Sequence, residues 1–261
     1  GGIDLSVGAV IGFTTVLIAV LIMWLNLHPL LAFGIALVVA SGFGAIMGAA
    51  IHYLKVPSFI VTLAGMFLAR GGASVLSPDS IGIEHEFYSA VSKSYILLPG
   101  GGRLTVVGMI MLAVFAVAIL LAHRTRFGSN VYALGGSESS AALMGVPVAR
   151  TTITIYALSS GLAGLAGVVF SLYTSAGYSL NALGVELDAI AAVVIGGTLL
   201  TGGYGFIAGT FIGVMLQGLV QTYIVFDGTL SSWWTKIVVG VLLFMFIVLQ
   251  RLVFRAGPRR S

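Results

Sequence analysis

The sequence predicts an all-α fold, a polytopic bundle of transmembrane helices. Only 8% of its 261 residues are charged and 59% are hydrophobic, against roughly 25% charged residues in an ordinary soluble domain. A chain of this composition would expose larger apolar patches to water than soluble proteins tolerate. The 36 glycines lie within apolar stretches without a three-residue period, which excludes collagen and indicates close helix packing.

Eight apolar segments approach or reach the roughly 20 residues needed to cross a hydrocarbon layer about 30 Å thick. The sixth is short and is followed by three glycines, so it forms either a tight hairpin or a re-entrant pair with the seventh. The predicted segments are Val7 to Leu25, Leu30 to Leu54, Pro57 to Leu76, Leu104 to Ala122, Thr152 to Tyr173, Leu187 to Leu200, Tyr204 to Val225 and Trp234 to Gln250.

The basic residues predict the orientation, because Lys and Arg accumulate in cytoplasmic loops. One side holds three of them, Lys93, Arg103 and Lys236, while Arg70 falls inside a segment. The other side holds Lys55, Arg124, Arg126, Arg150, Arg251, Arg255, Arg259 and Arg260. With eight crossings, both chain ends are therefore expected in the cytoplasm.

Small residues recur at four-residue spacing, which lets helix backbones approach closely in a bilayer. Gly8 with Gly12 and Gly44 with Gly48 are two such pairs, and Gly205, Gly209 and Gly213 form a longer run. We expect these positions to lie at helix contacts.

Acidic residues within or beside a membrane segment are energetically costly, so each is a candidate functional residue. Asp4 precedes the first segment, and Glu186 and Asp188 flank the start of the sixth. Each either caps a helix start or makes a polar contact along a substrate path. The hydroxyl residues Ser6, Ser58 and Thr62 are further candidates for that path.

The inner loop His123 to Thr151 contains a predicted short helix. Gly135 and Gly136 end the preceding element, Ser137 is placed to cap the helix, and Gly145 with Pro147 ends it. A short, nearly uncharged helix on the cytoplasmic face either docks into a partner's groove or lies on its own bundle.

The sequence contains no residue pattern typical of a disulfide framework, a metal site, a hydrolase active site or a phosphate-binding loop. Cysteine is absent, which excludes a disulfide framework and a thiolate metal site. The four histidines show no ligand spacing, and neither a nucleophile elbow nor a phosphate-binding loop appears. The scattered basic residues fit membrane orientation better than nucleic-acid binding.

Several stretches of the chain resemble the sugar permease subunits of bacterial ATP-binding cassette (ABC) importers of the ribose, xylose and galactose type. They are GGIDLSVG at 1–8, VPSFIVTL at 56–63 with Ala69-Arg70-Gly71, the loop 132–145 and ELDAIAAVVIGG at 186–197. Within that family, residues 218–223 and 226–236 are most similar to a permease subunit of a galactofuranose importer.

The resemblance implies an ABC importer permease fold of about ten helices in the bacterial inner membrane. The chain would then be one permease domain, 1–261, lacking an N-terminal part, with a periplasmic loop at 77–103. It would be a transporter subunit without a cofactor and not an enzyme, because a separate ATP-binding subunit hydrolyses ATP. The implied partners are that subunit, a second permease subunit forming a homo- or heterodimer, and a periplasmic sugar-binding protein.

The short helix within the cytoplasmic loop 123–151 corresponds, by the resemblance, to the family's coupling helix, which contacts the ATPase. Ser139 stands where the family often has Glu, and Glu138 lies one position early. The coupling residues are then Ser137, Glu138, Ser139, Ala141, Ala142, Leu143 and Gly145. A secondary carrier or channel for a small neutral solute is the alternative function; a membrane enzyme acting on lipid-linked sugars would need clustered acids or histidines.

Overall fold

The computed structural model describes residues 1–227 and 233–256, and within them the chain is predominantly helical. The helices are α1 Val7–Met23, α2 Pro29–Leu54, α3 Ser58–Leu76, α4 Glu86–Lys93, α5 Val106–Arg124, α6 Arg126–Gly136, α7 Glu138–Leu143, α8 Val148–Thr174, α9 Val185–Ile195, α10 Ile207–Asp227 and α11 Trp233–Ala256. The strands are β1 Ile81–Gly82, β2 Tyr95–Leu97, β3 Arg103–Thr105 and β4 Ala176–Gly177.

The predicted all-α, multi-pass bundle is confirmed, and each of the eight apolar segments is a helix. Five of them, α2, α3, α5, α8 and α10, are long and apolar enough to cross a membrane. Two shorter apolar helices are α1 and the part of α11 up to Leu249. Within the part of the chain that the structure describes, there are thus five full-length spans against the eight membrane segments that were predicted.

The sixth segment differs from its predicted bounds. Helix α9 covers 11 residues, about 16 Å at 1.5 Å per residue, so it reaches about halfway across a bilayer. It ends because Gly197 adopts a left-handed φ of +90°. The following turn, with Gly202 and Gly203 also at positive φ, reverses the chain so that Gly196 packs directly on Gly209 of α10.

The chain divides into two compact units. One comprises 2–116 and 142–186, and the other comprises residue 1, 117–141 and 187–261. In the first unit α1 is the central helix, and it packs against α2, α3 and α8. Its side chains Val16, Ile18 and Ala19 are fully buried, since a helix surrounded by others must be apolar on all sides.

The segment between α3 and α5 folds into structure that the sequence did not predict. Strand β1 pairs antiparallel with β4, and β2 pairs with β3 in a hairpin. Helix α4 buries Tyr88 in a cluster with Phe33 and Leu172. Two histidines cap helices: Nδ1 of His28 accepts from the Leu30 N–H at 3.3 Å, and Nδ1 of His85 accepts from the Phe87 N–H at 3.1 Å.

Most of the predicted glycine contacts are confirmed. A Cβ at Gly44 or Gly48 would overlap α8, and one at Gly209 or Gly213 would overlap the α9 region. Gly205 is different, because it precedes α10 and faces Thr198.

The orientation stays a prediction. Arg259 and Arg260 lie outside the described residues, as do residues 228–232 of the stretch that resembles the galactofuranose permease.

Candidate functional site

The segment Gly2 to Ser6 carries the first polar cluster. Oδ1 of Asp4 accepts hydrogen bonds from the Ser6 N–H at 2.9 Å and the Ser6 hydroxyl at 2.6 Å. Oδ2 accepts from the Ser159 hydroxyl of α8 at 2.6 Å. Asp4 was predicted as a possible helix cap, but the cap position of α1 is Ser6, and its side chain makes no capping bond. Asp4 instead ties the chain before α1 to α8, because one carboxylate oxygen accepts from Ser6 and the other accepts from Ser159 of α8.

Two residues at the start of α3 lie in the same cluster. The Thr62 hydroxyl is fully buried and lies 2.9 Å from the Ser58 carbonyl and 3.2 Å from the Ile3 carbonyl. The hydroxyls of Ser58 and Tyr156 both lie against Gly2, where an added Cβ would overlap Tyr156. The structure thus brings together four of the six predicted path residues, Asp4, Ser6, Ser58 and Thr62.

A second polar cluster surrounds the middle of α1 and involves a non-helical stretch, 178–184. The Thr15 hydroxyl, midway along α1, donates to the Gly12 carbonyl at 2.8 Å and accepts from the Tyr178 N–H at 3.3 Å. The amide of Asn181 donates to the same hydroxyl at 3.4 Å. Irregular backbone at membrane depth requires partners of this kind, because lipid offers none.

Arg70 of α3 supplies further hydrogen bonds to this stretch. Its Nη1 donates to the carbonyl of Ser179 at 2.5 Å and to the carbonyl of Asn181 at 2.8 Å. Gly12 makes room for the guanidinium, since a Cβ at Gly12 would lie 2.6 Å from Nη1. Gly8 and Gly12 therefore lie against side chains of two other helices, Glu186 of α9 and Arg70 of α3, and against carbonyls of the non-helical stretch 178–184.

Glu186 lies beside this second cluster. It was expected to precede its helix, but it lies in the first turn of α9. Its Oε2 is buried and has no hydrogen-bond partner among the residues that the structure describes. The carboxylate interacts electrostatically with Arg70, and a Cβ at Gly8 would overlap Oε2. Glu186 is therefore a buried acceptor facing a cation that is hydrogen-bonded elsewhere.

Asp188 also lies within α9, in the second compact unit. Its carboxylate forms an ion pair with Lys236 of α11, with Nζ at 2.8 Å from Oδ1 and 2.6 Å from Oδ2. The side-chain amide of Gln217 donates to the Asp188 carbonyl at 3.1 Å. Asp188 was predicted to cap a helix start. It instead connects three helices.

The predicted short cytoplasmic helix exists as α7. Ser137 caps it, because its hydroxyl accepts from the Ser140 N–H at 3.3 Å. Gly145 follows at a left-handed φ of +81°, and its N–H donates to the Ala142 carbonyl at 3.0 Å. Ala141 is fully buried, whereas Leu143 is 90% exposed. The helix is anchored on one face and presents an apolar side chain on the other.

The sequence reading did not select Arg70, Asn181, Tyr156 or Ser159 as site residues. Arg70 carried a usable signal, because an ionisable residue inside a membrane segment marks function by default. The other three are ordinary polar residues, and nothing in the local sequence distinguishes them. In the described part of the chain, no three His, Asp or Glu residues are grouped to hold a metal ion.

Known proteins with similar sequences are membrane permeases. A family profile described as the permease component of the branched-chain amino acid transport system matches residues 1–247. The chain is 61% identical to the inner membrane ABC transporter permease protein YjfF of Escherichia coli K12, over 96% of this chain and 76% of that protein. Identity is 39% with the fructose import permease protein FruG of Bifidobacterium longum, over 98% and 77% of the two chains. It is 36% with the ribose import permease protein RbsC of Escherichia coli K12, over 95% and 77%. No solved structure matches the chain.

Proposed function

Because the chain belongs to the sugar permeases of ABC importers, we propose that it forms part of the path by which galactofuranose crosses the inner membrane. The permease class and the multi-pass membrane location follow directly from the relatives and the apolar helices. The sugar is the finer part of the proposal. It is supported by the likeness of residues 218–223 and 226–236 to a galactofuranose permease, while the fructose and ribose import permeases among the relatives support a sugar as the solute.

The polar groups of the two clusters suit a neutral sugar as the transported solute. Hydroxyl, amide and carbonyl groups form hydrogen bonds with sugar hydroxyls without requiring a charge. Asp4, Ser6, Ser58 and Thr62 lie together at one end of α1, and Glu186 lies beside α1 near Gly8. We assign these five to the substrate path, and Asp188 to a supporting contact between helices.

The chain is proposed to work with three partners: an ATP-binding subunit, a second permease subunit and a periplasmic sugar-binding protein. Helix α7, within the loop 123–151, would contact the ATP-binding subunit through its exposed face. Leu143 is 90% exposed and Met144 is 72% exposed, and such side chains fit a partner's apolar groove. The loop 77–103 would face the binding protein on the periplasmic side.

Uptake measurements test the proposal. Bacteria lacking this gene are compared with complemented cells for accumulation of labelled galactofuranose, with ribose as a competitor. We expect uptake to disappear in the deletion strain, to return with the gene and to require ATP. Unchanged galactofuranose uptake in the deletion strain would exclude this substrate. Uptake by the chain reconstituted without an ATP-binding subunit would identify a carrier or channel instead.

A further inference from the structure

The stretch 178–184 is an unusual element to find beside the middle of a membrane helix. It is non-helical, and its backbone groups depend on side chains for hydrogen bonds: Tyr178 on Thr15, and Ser179 and Asn181 on Arg70. Irregular backbone of this kind occurs within membranes where it is enclosed by protein or lines a path. In transporters, interrupted helices at such depth accompany substrate movement.

Among the described residues, Arg70 is the charged side chain that hydrogen-bonds to this stretch. A guanidinium binds most strongly to a carboxylate, which it engages with two parallel hydrogen bonds. Here its Nη1 is instead shared between two main-chain carbonyls. These are weaker partners than a carboxylate, so this arrangement leaves a stronger one unused.

That stronger partner is already within electrostatic range. The carboxylate of Glu186 interacts with Arg70, yet its buried Oε2 has no hydrogen bond. A buried carboxylate oxygen without a donor is costly. A displacement of 178–184 that releases Nη1 would let the guanidinium turn to Glu186, so that Arg70 exchanges its bonds to two carbonyls for bonds to a carboxylate.

We propose that Arg70 is a positioning residue with two alternative partners. Its guanidinium holds residues 178–181 against α1 in the arrangement described, and it transfers to the Glu186 carboxylate when that stretch moves during transport. The inference rests on the proposed importer function. Gly8 and Gly12 leave the space in which the exchange occurs, because a Cβ at either would overlap Glu186 or Arg70.

Accessibility of an introduced cysteine tests the resting arrangement. The chain contains no cysteine, and Ser179 is 2% exposed, so Ser179→Cys is a single buried reporter. In the assembled importer in lipid nanodiscs, we expect slow labelling by N-ethylmaleimide. Arg70→Gln should raise the rate about tenfold, since the charged donor that holds the Ser179 and Asn181 carbonyls is lost. Arg70→Lys should give an intermediate rate.

A second reporter separates local from global opening. Ser160 is fully buried on α8 against Gly44, away from Arg70. Labelling of Ser160→Cys should not change in the Arg70→Gln background. Equal acceleration at both reporters would show general loosening of the bundle and would overturn the positioning role. An unchanged rate at Ser179→Cys would overturn it as well.

Glu186→Gln tests the second partner. It should leave resting labelling at Ser179→Cys unchanged and lower the maximal uptake rate. In the Arg70→Gln background the same change should have no further effect on uptake, because coupled residues are non-additive. Additive losses would contradict the exchange. The labelling needs no sugar, so it still reports on Arg70 if the transported solute is not galactofuranose.

Discussion

The Ser159 hydroxyl on α8 lies 2.6 Å from Oδ2 of Asp4, which precedes α1. This hydrogen bond joins two residues that lie 155 positions apart in the sequence. A hydrogen bond to a charged acceptor contributes about 1.5–3 kcal/mol, although Asp4 is partly exposed and the lower part of that range applies. The bond fixes the polar cluster at the start of α1 to α8.

Ser159→Ala should therefore lower the free energy of unfolding by about 1 kcal/mol and reduce uptake. The measurement is thermal unfolding of the purified permease in detergent, together with uptake in the complemented strain. Thr154→Ala is the control, because Thr154 is exposed on the same helix and its hydroxyl bonds only to the Arg150 carbonyl one turn earlier. A Ser159→Ala protein as stable as the Thr154→Ala protein would contradict the role of this bond.

Two glycines on α2 give a matched test of helix packing. A Cβ at Gly44 would overlap the Tyr156 carbonyl and the Ser160 side chain, whereas a Cβ at Gly42 meets nothing within 4 Å. Gly44→Ala should destabilise by about 1–3 kcal/mol, since overpacking forces neighbouring groups apart. Gly42→Ala should be neutral or slightly stabilising, because Ala has the higher helix propensity. Unfolding in detergent by SDS titration compares the two; equal stability would show that the α2–α8 contact adapts freely.

The sequence predicted the helices well because hydrophobicity and glycine are local signals. Segment positions agreed with α1, α2, α3 and α5 to within a few residues, and α7 was predicted from the residues that bound it, Gly135 to Ser137 before it and Gly145 and Pro147 after it. Each of these predictions depends on composition over a window or on a single capping residue.

The site contacts could not be predicted, because they join residues far apart in the chain. The hydrogen bonds of Arg70 go to carbonyls 109 and 111 residues later, and a carbonyl has no sequence signature. The strands β1 and β4 have two residues each, which is too short to show the alternation of apolar and polar residues that predicts a strand. The sequence identified Asp4 and Glu186 as candidates through their charge. Only the fold showed that both carboxylate oxygens of Asp4 accept hydrogen bonds, whereas Oε2 of Glu186 accepts none from the described residues.

Tyr88 predicts a pH dependence of stability. It is 2% exposed in α4, and its hydroxyl lies 3.1 Å from the Ser171 hydroxyl. Burial raises the pKa of Tyr88 from 10 to about 12, so the folded protein keeps the proton after the unfolded chain has lost it. The folded state is then unaffected below pH 10 and loses stability between pH 10 and 12, by up to roughly 2.7 kcal/mol.

Unfolding of the purified permease, measured from pH 8 to 12, checks that the free energy of unfolding falls as the pH rises above 10. Tyr88→Phe should be about 1 kcal/mol less stable at pH 8, because the hydrogen bond between the Tyr88 and Ser171 hydroxyls is lost, while Ser171 keeps its bond to the Val168 carbonyl. Its stability should fall less steeply above pH 10 than that of the native protein. Parallel pH curves for the two proteins would contradict the raised pKa.

The exposed face of α7 predicts a loss of coupling without a loss of folding. Because Leu143 is 90% exposed, Leu143→Ser should change the free energy of unfolding by less than about 0.5 kcal/mol. Uptake should nevertheless fall at least several-fold while ATP hydrolysis by the assembled importer continues, since the proposed contact between α7 and the ATP-binding subunit is lost.

A second variant, Gly145→Ala, places a Cβ at a φ of +81°, which costs about 1 kcal/mol and shifts the end of the helix. Gly136→Ala is its matched control, because Gly136 lies before α7 and a Cβ there meets nothing within 4 Å. Normal uptake in both Leu143→Ser and Gly145→Ala would place the contact with the ATP-binding subunit elsewhere on the chain.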